Sequence, residues 1–284
     1  VTASSSMTLT LEPIEEASPL EPYRAQIFPV TEDKIEKVSL YLESLMDEEE
    51  SISLEIMPAS DIWSFNEDRK PIKSLDVSVP PKFRGWFDID LNLNVTPKRL
   101  YQLNIKGGSK LLWHHSKPLP GVAAAYRRPN WMRWVAEKPV YAMRLSPPSN
   151  PFGPENVVSG VARPEGWTNI WISDPKFGFP QRLIIDFGDY IKFNMVYLTF
   201  DTYLHEDTCH FPPFYRVPEC VRDYALKALS RNGWRTIVEF RGNYHRRRIH
   251  RFDDVEASKL MVEIQSSNGS PTARIYEIRV YNSK

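Results

Sequence analysis

Apolar and polar residues alternate with a period of two in several stretches of this chain, each bounded by proline, glycine or asparagine. Met7, Leu9 and Leu11 alternate with Thr8, Thr10 and Glu12, and the rhythm recurs over Ser51–Ile56, Trp86–Leu93, Leu100–Ile105 and Val140–Leu145. A period of two sends successive side chains to opposite faces, so these runs predict strands with one buried face. Ile35–Leu45 admits two readings. Ile35, Val38, Leu42 and Leu45 have helical spacing behind a Thr31 cap, whereas Val38, Leu40 and Leu42 alternate as a strand, the reading we favour. In the second half, Arg182–Phe187 and Phe193–Phe200 are apolar runs joined by Gly188-Asp189. Val221–Ser230 meets Trp234–Phe240 across Asn232-Gly233, a hairpin signal because both residues tolerate positive φ. Lys259–Gln265 and Arg274–Tyr281 complete the set. The expected fold class is all-β, with two antiparallel β-sandwich (jelly-roll) domains. Ser146–Pro154 holds four prolines in nine residues and admits no regular element, so residues 1–147 and 148–284 are the expected domains.

Composition narrows the classes. The 24 prolines against 12 glycines in 284 residues disfavour long helices and central parallel strands, since proline removes a ladder donor. No run of 18 or more apolar residues occurs, so no helical membrane span is expected. The 36 basic and 36 acidic side chains split into 18 and 20 over residues 1–147 and 18 and 16 over the rest, net −2 and +2. Neither half carries the footprint that phosphate neutralisation needs, which excludes nucleic acid as the main partner. Cys209 and Cys220 lie close to His205 and His210 without metal-ligand spacing; a disulfide and two buried thiols both remain open. The chain starts at Val1 without a charged-then-apolar leader and reads as a processed or excised piece.

Several motifs carry a resemblance. Asn156-Val-Val-Ser-Gly160, Trp171-Ile-Ser-Asp174, Pro180-Gln-Arg-Leu-Ile-Ile-Asp-Phe-Gly188, the run Phe193–Phe200, Gly242–Phe252 and Ala273–Tyr281 occur in the order found in discoidin (coagulation factor 5/8 type C) domains. The second half thus resembles these galactose-binding-like jelly rolls, a group that includes many bacterial carbohydrate-binding modules. Gly153–Gly166 resembles, more narrowly, the tail that follows the catalytic part of some bacterial FAD-dependent oxidoreductases, while the dinucleotide fingerprint GxGxxG is absent. That likeness implies a non-catalytic appendage. The first half, through Gly85-Trp-Phe-Asp-Ile89 and Arg99-Leu-Tyr-Gln-Leu103, resembles accessory jelly rolls.

Sugar binding needs an aromatic platform and fixed polar groups. Trp167 with Asn169, and Tyr203 in the aromatic insertion, supply candidates; Trp171 and Trp234 read as core. By position in the resembled family, His205, Asn243 and Arg246 are the nearest equivalents of sugar ligands, with Tyr244 beside them. The run Arg241–Arg251 holds five arginines and two histidines. Its planar forks match carboxylate or sulfate, so it reads either as an acidic-glycan grip or as a solvated strand paired with Asp253, Asp254 and Glu256. The dense Tyr126–Trp134 run is a second platform or a packing surface. The resemblance also implies a structural calcium as the one candidate cofactor. Glu277 matches the family's late carboxylate, whereas its early aspartate is Ser159 here.

No nucleophile elbow and no singled-out carboxylate pair appear, so no catalytic residues are assigned. The expected function is a non-catalytic carbohydrate-binding accessory module for a polysaccharide or oligosaccharide, including an acidic one. It would be attached to a catalytic domain of a larger protein and act in an extracytoplasmic or secreted setting. An interaction domain packed on a parent enzyme and a jelly-roll lyase or glycosidase are the alternatives.

Overall fold

The computed structural model describes residues 1–203 and 216–283. Among these, only two short 3-10 turns, Pro154–Val158 and Pro175–Phe177, interrupt an all-β chain. In chain order the strands are β1 (Thr2–Ala3), β2 (Pro13–Pro19), β3 (Tyr23–Val30), β4 (Lys34–Ser44), β5 (Glu50–Ala59), β6 (Lys73–Val79), β7 (Arg84–Asn94), β8 (Arg99–Lys106) and β9 (Leu111–Ser116). They continue as β10 (Ala123–Arg127), β11 (Val135–Glu137), β12 (Val140–Tyr141), β13 (Met143–Ser146), β14 (Trp171–Ile172), β15 (Gln181–Phe200), β16 (Val221–Ser230), β17 (Gly233–Phe240), β18 (Arg247–Ser267) and β19 (Arg274–Tyr281).

Two units divide the chain. The N-terminal unit is Thr8–Pro151 with Glu165–Thr168, and the C-terminal unit is Val1–Met7, Phe152–Pro164 and Asn169–Lys284. Residues 1–7, 148–151 and 165–168 therefore sit in the unit opposite to the one a cut after residue 147 assigns them.

In the N-terminal unit, two antiparallel sheets run β11-β10-β3-β8-β5-β6 and β12-β9-β4-β13, with β2 added on β9 and β7 on β4. The ambiguous stretch is strand β4, with Ile35, Val38, Leu40 and Leu42 all buried. Each such side chain contributes roughly 1.5–3 kcal/mol on burial, several times the few tenths by which these residues differ in local propensity. Sheet burial thus outweighs helical spacing. Met7–Leu11 forms no strand: Leu11 makes one isolated bridge to Met143, and the stretch is divided between the two units. Val140–Leu145 splits into β12 on β9 and β13 on β4. Strand β8 is buried on both faces. Tyr101, Leu103 and Ile105 point one way, while Gln102 and Asn104 point to the face shared with Glu55 and Met57 of β5.

The C-terminal unit is one continuous sheet, β14-β19-β15-β18-β16-β17, with β1 on β15. It covers its own core because β15 and β18, at 20 and 21 residues, bend. Gly188-Asp189 is consequently no hairpin turn. It sits inside β15 at a register break against β18, with Gly188 at φ 78°. Strands β16 and β17 do form a hairpin, in which Ser230 pairs with Gly233. Trp171, Phe200, Tyr224, Leu226, Val262 and Ile275 are completely buried. Trp234, expected in the core, is 42% exposed, because its edge-strand face is uncovered.

Candidate functional site

On the C-terminal unit, register brings three strands' polar residues into one row. Thr199 of β15 pairs with Arg247 of β18 on one side and Glu277 of β19 on the other. Two residues on, Tyr197 pairs with Ile249 and Arg279, so both rows share a face. The Arg247 guanidinium lies 4.8 Å from the Tyr197 ring centroid, and the Tyr197 and Tyr281 rings are 5.2 Å apart at 63°. Where β18 begins, Arg246 reaches over to the 159–163 loop and donates from Nη2 to the Ala162 carbonyl at 2.5 Å. Ala162, Thr199, Arg246, Arg247, Glu277 and Arg279 enclose a cavity of about 300 Å³.

Charge in this cavity is unbalanced. Glu277 Oε1 accepts from Arg279 Nε at 2.7 Å and Nη2 at 2.6 Å, so its direct hydrogen bonds go to Arg279. Arg246 is half-buried, its Nε has no partner, and burial lowers its proton affinity from the usual arginine range. The hydrogen bonds it donates to Glu277 hold the Arg279 guanidinium firmly protonated. Three guanidinium groups facing one carboxylate make a pocket that favours an anion.

Calcium does not fit these residues. The Glu277 carboxylate is taken by Arg279 inside an arginine cluster, and Ser159 is exposed, its hydroxyl accepting from Val161 N at 3.3 Å. Among the described residues no group of three His, Cys, Asp or Glu side chains is placed to hold a metal.

The remaining sequence candidates are dispersed. Asn243 is completely buried: its amide donates to the Val221 and His245 carbonyls at 2.7 and 3.2 Å, and its oxygen accepts from His245 N at 3.1 Å and Arg248 Nε at 2.7 Å. It braces the 242–246 loop rather than presenting a free amide. Tyr244 stacks on His245 with centroids 4.3 Å apart, and the Arg216 guanidinium lies 5.7 Å from the Tyr244 ring. Tyr203 is part-buried against the C-terminal core, and its backbone N–H caps Asp201 at 3.0 Å. Asn169 is buried, at φ 53°, with its amide on the Arg163 carbonyl at 3.1 Å. Trp167 belongs to the N-terminal unit and packs on a cluster with Ala25, Ile27 and Trp134. His205 and Cys209 lie outside the described residues, while Cys220 is a buried free thiol whose pKa burial pushes up to about 12.

Along β18, Arg247, Ile249 and Arg251 are exposed, whereas Arg248 and His250 turn inward to Phe240 and Tyr224. Within β18 the basic residues therefore divide by strand parity into a gripping and a packing face, while Arg246, just before the strand, joins the gripping side. Sequence reasoning missed Tyr197, Thr199 and Arg279. Their i, i+2 spacing with Glu277 and Tyr281 was the signal, but which strands were neighbours was not visible.

No protein-family model matches the chain, and no curated protein matches its sequence. Among solved structures, the family 32 carbohydrate-binding module from Streptococcus pneumoniae EndoD is similar at 18% identity, over 46% of this chain and 86% of that one, with a TM-score of 0.38. The family 32 module from C. perfringens NanJ, solved with galactose, aligns at 15% identity over 47% of this chain and 88% of its own, TM-score 0.37. The family 32 module of AlyQ, solved with 4,5-unsaturated mannuronic acid, aligns at 12% identity over 46% and 87%, TM-score 0.35.

Proposed function

We propose that the C-terminal unit is a non-catalytic carbohydrate-binding module whose outer face takes a sugar bearing a carboxylate or sulfate group. The observation that carries this reading is the half-buried Arg246, with its Nε unpartnered, in a cavity shared by Arg247 and Arg279. A partly desolvated guanidinium with an unpartnered N–H is costly, and an incoming anion offsets that cost through paired N–H donors. Tyr197 and Tyr281 lie on the same face and offer rings to the apolar side of a sugar. The resemblance of Gly153–Gly166 to an enzyme tail supports an attached catalytic domain as partner, and a polysaccharide ligand goes with an extracytoplasmic setting.

Affinity electrophoresis of the whole chain in gels containing polygalacturonate, alginate or a neutral glucan tests this. Retention is expected in an acidic gel, weakening as salt rises. Arg247→Ala and Arg279→Ala should each weaken it about tenfold with unchanged circular dichroism. Folded protein that migrates freely through every acidic gel would sink the reading and leave a role in docking to a parent enzyme.

A further inference from the structure

We propose a second binding site, on the N-terminal unit, that takes a neutral polyhydroxylated ligand such as an uncharged oligosaccharide chain. Its floor is the outer face of β5 and β8, where register sets Glu55 beside Asn104 and Met57 beside Gln102. Segments 60–72 and 127–134 rise on either side, and the cleft between them measures about 510 Å³, within the roughly 300–1,000 Å³ of small-molecule sites.

The floor is an oriented polar chain where a sheet would ordinarily bury apolar side chains. Gln102 is 1% and Asn104 5% exposed. Gln102 Nε2 donates to Asn104 Oδ1 at 2.7 Å, Asn104 Nδ2 lies 3.4 Å from Glu55 Oε2, and Arg69 Nη2 donates to Gln102 Oε1 at 3.2 Å. Each amide group has two N–H donors, and each uses one of them in this chain. Arg127 is the larger imbalance. Its guanidinium lies 4.8 Å from the Trp134 ring centroid, its buried Nε has no partner, and among the described residues the side chain makes no hydrogen bond or ion pair. A buried donor without an acceptor costs stability unless a bound group supplies one.

The walls are fixed before any ligand arrives. Asn66 Nδ2 donates to the Trp134 carbonyl at 2.9 Å while Trp134 N donates to Asn66 Oδ1 at 2.6 Å, tying one wall to the other. Arg69 also donates to the carbonyls of Pro58 and Ser64, clamping the first wall to β5. Such preorganisation lowers the cost of binding.

Charge selects the ligand class. The cleft is lined by Glu55, Glu67 and Asp68 against Arg69, Arg127 and Arg133, three of each sign. A charged ligand therefore gains no net attraction, in contrast to the arginine cavity of the C-terminal unit. Buried amides, carboxylate oxygens and guanidinium edges beside Met57, Phe65 and the 93%-exposed Met132 instead suit alternating hydroxyl and C–H surfaces.

The test uses the whole chain labelled with [methyl-13C]methionine, and cello-, manno- and xylohexaose as probes. Met57 and Met132 line the cleft, and the other five of the seven methionines serve as internal controls. The expected result is a saturable shift of the Met57 and Met132 methyl signals with at least one hexaose. Asn104→Leu and Arg127→Ala should each weaken binding about tenfold, whereas Arg247→Ala leaves it unchanged. Asn104 is buried, so a far-ultraviolet melt accompanies its variant, and the more exposed Arg127 carries the conclusion if that variant fails to fold. No methyl shift with any neutral hexaose overturns the inference, as does a shift unaffected by Arg127→Ala. Either outcome leaves the acidic-gel test of the C-terminal unit standing by itself.

Discussion

Asn243 shows how a residue matched to a ligand position can have its bonding capacity filled from within. Four hydrogen bonds to the backbone and to Arg248 fix the 242–246 loop, which in turn aims Tyr244 and Arg246. Asn243→Ala leaves the Val221 and His245 carbonyls and the Arg248 Nε without this partner. We expect a loss of about 2–4 kcal/mol in urea unfolding, with weaker acidic-gel retention as a consequence of lost loop order. A loss under about 0.5 kcal/mol, the size of a neutral surface change, would contradict the bracing role. The sequence singled out Asn243 only as a position matched to a sugar ligand. Its saturation was not legible, because the accepting carbonyls lie more than twenty positions away at Val221 or are exposed only by the loop's own shape.

At the scale of elements, β18 has two characters set by parity. Arg247 faces the arginine cavity, whereas His250, three positions on and so of the other parity, hydrogen-bonds Tyr224 Oη at 2.8 Å. Burial, with nearby Arg248 adding to it, pulls the His250 pKa below its ordinary 6.5. Between the folded and unfolded values the unfolded chain binds more protons, so stability is complete above the unfolded pKa and declines as pH falls through it. His115, lowered mainly by burial, acts in the same direction in the N-terminal unit. The melting temperature should therefore drop between about pH 7.5 and 5.5, and His250→Gln should shrink that drop. An identical slope in variant and parent would refute the assignment. Most strand positions were readable from alternation, and the Asn-Gly hairpin from its turn residues. The bend inside β15 was not, because a glycine flanked by apolar runs has the same local signature whether the chain reverses or only bulges.

At the scale of the whole molecule, the first seven residues belong to the C-terminal unit. β1 pairs with β15, the Trp171 indole donates to the Ser5 carbonyl at 2.9 Å, and the Ser4 and Ser5 hydroxyls donate to Gln181 Oε1 at 2.7 and 2.8 Å. Deleting residues 1–7 should lower the unfolding midpoint of the C-terminal unit by several degrees, roughly the effect of 1–2 kcal/mol on a domain of this size, without moving that of the N-terminal unit. Differential scanning calorimetry on the full and shortened chains checks this, and equal shifts in both units would count against it. The same scale separates what each level of description decided. Composition and alternation alone determined an all-β chain punctuated by proline, without a helical membrane span and nearly neutral in each half, because these follow from residue type and from neighbours within a few positions. The rows Arg247–Thr199–Glu277 and Glu55–Asn104 and the exposure of Trp234 were decided by tertiary structure. They depend on which strands lie side by side and in what register, and pairings across twenty to eighty residues leave no periodic trace in one sequence.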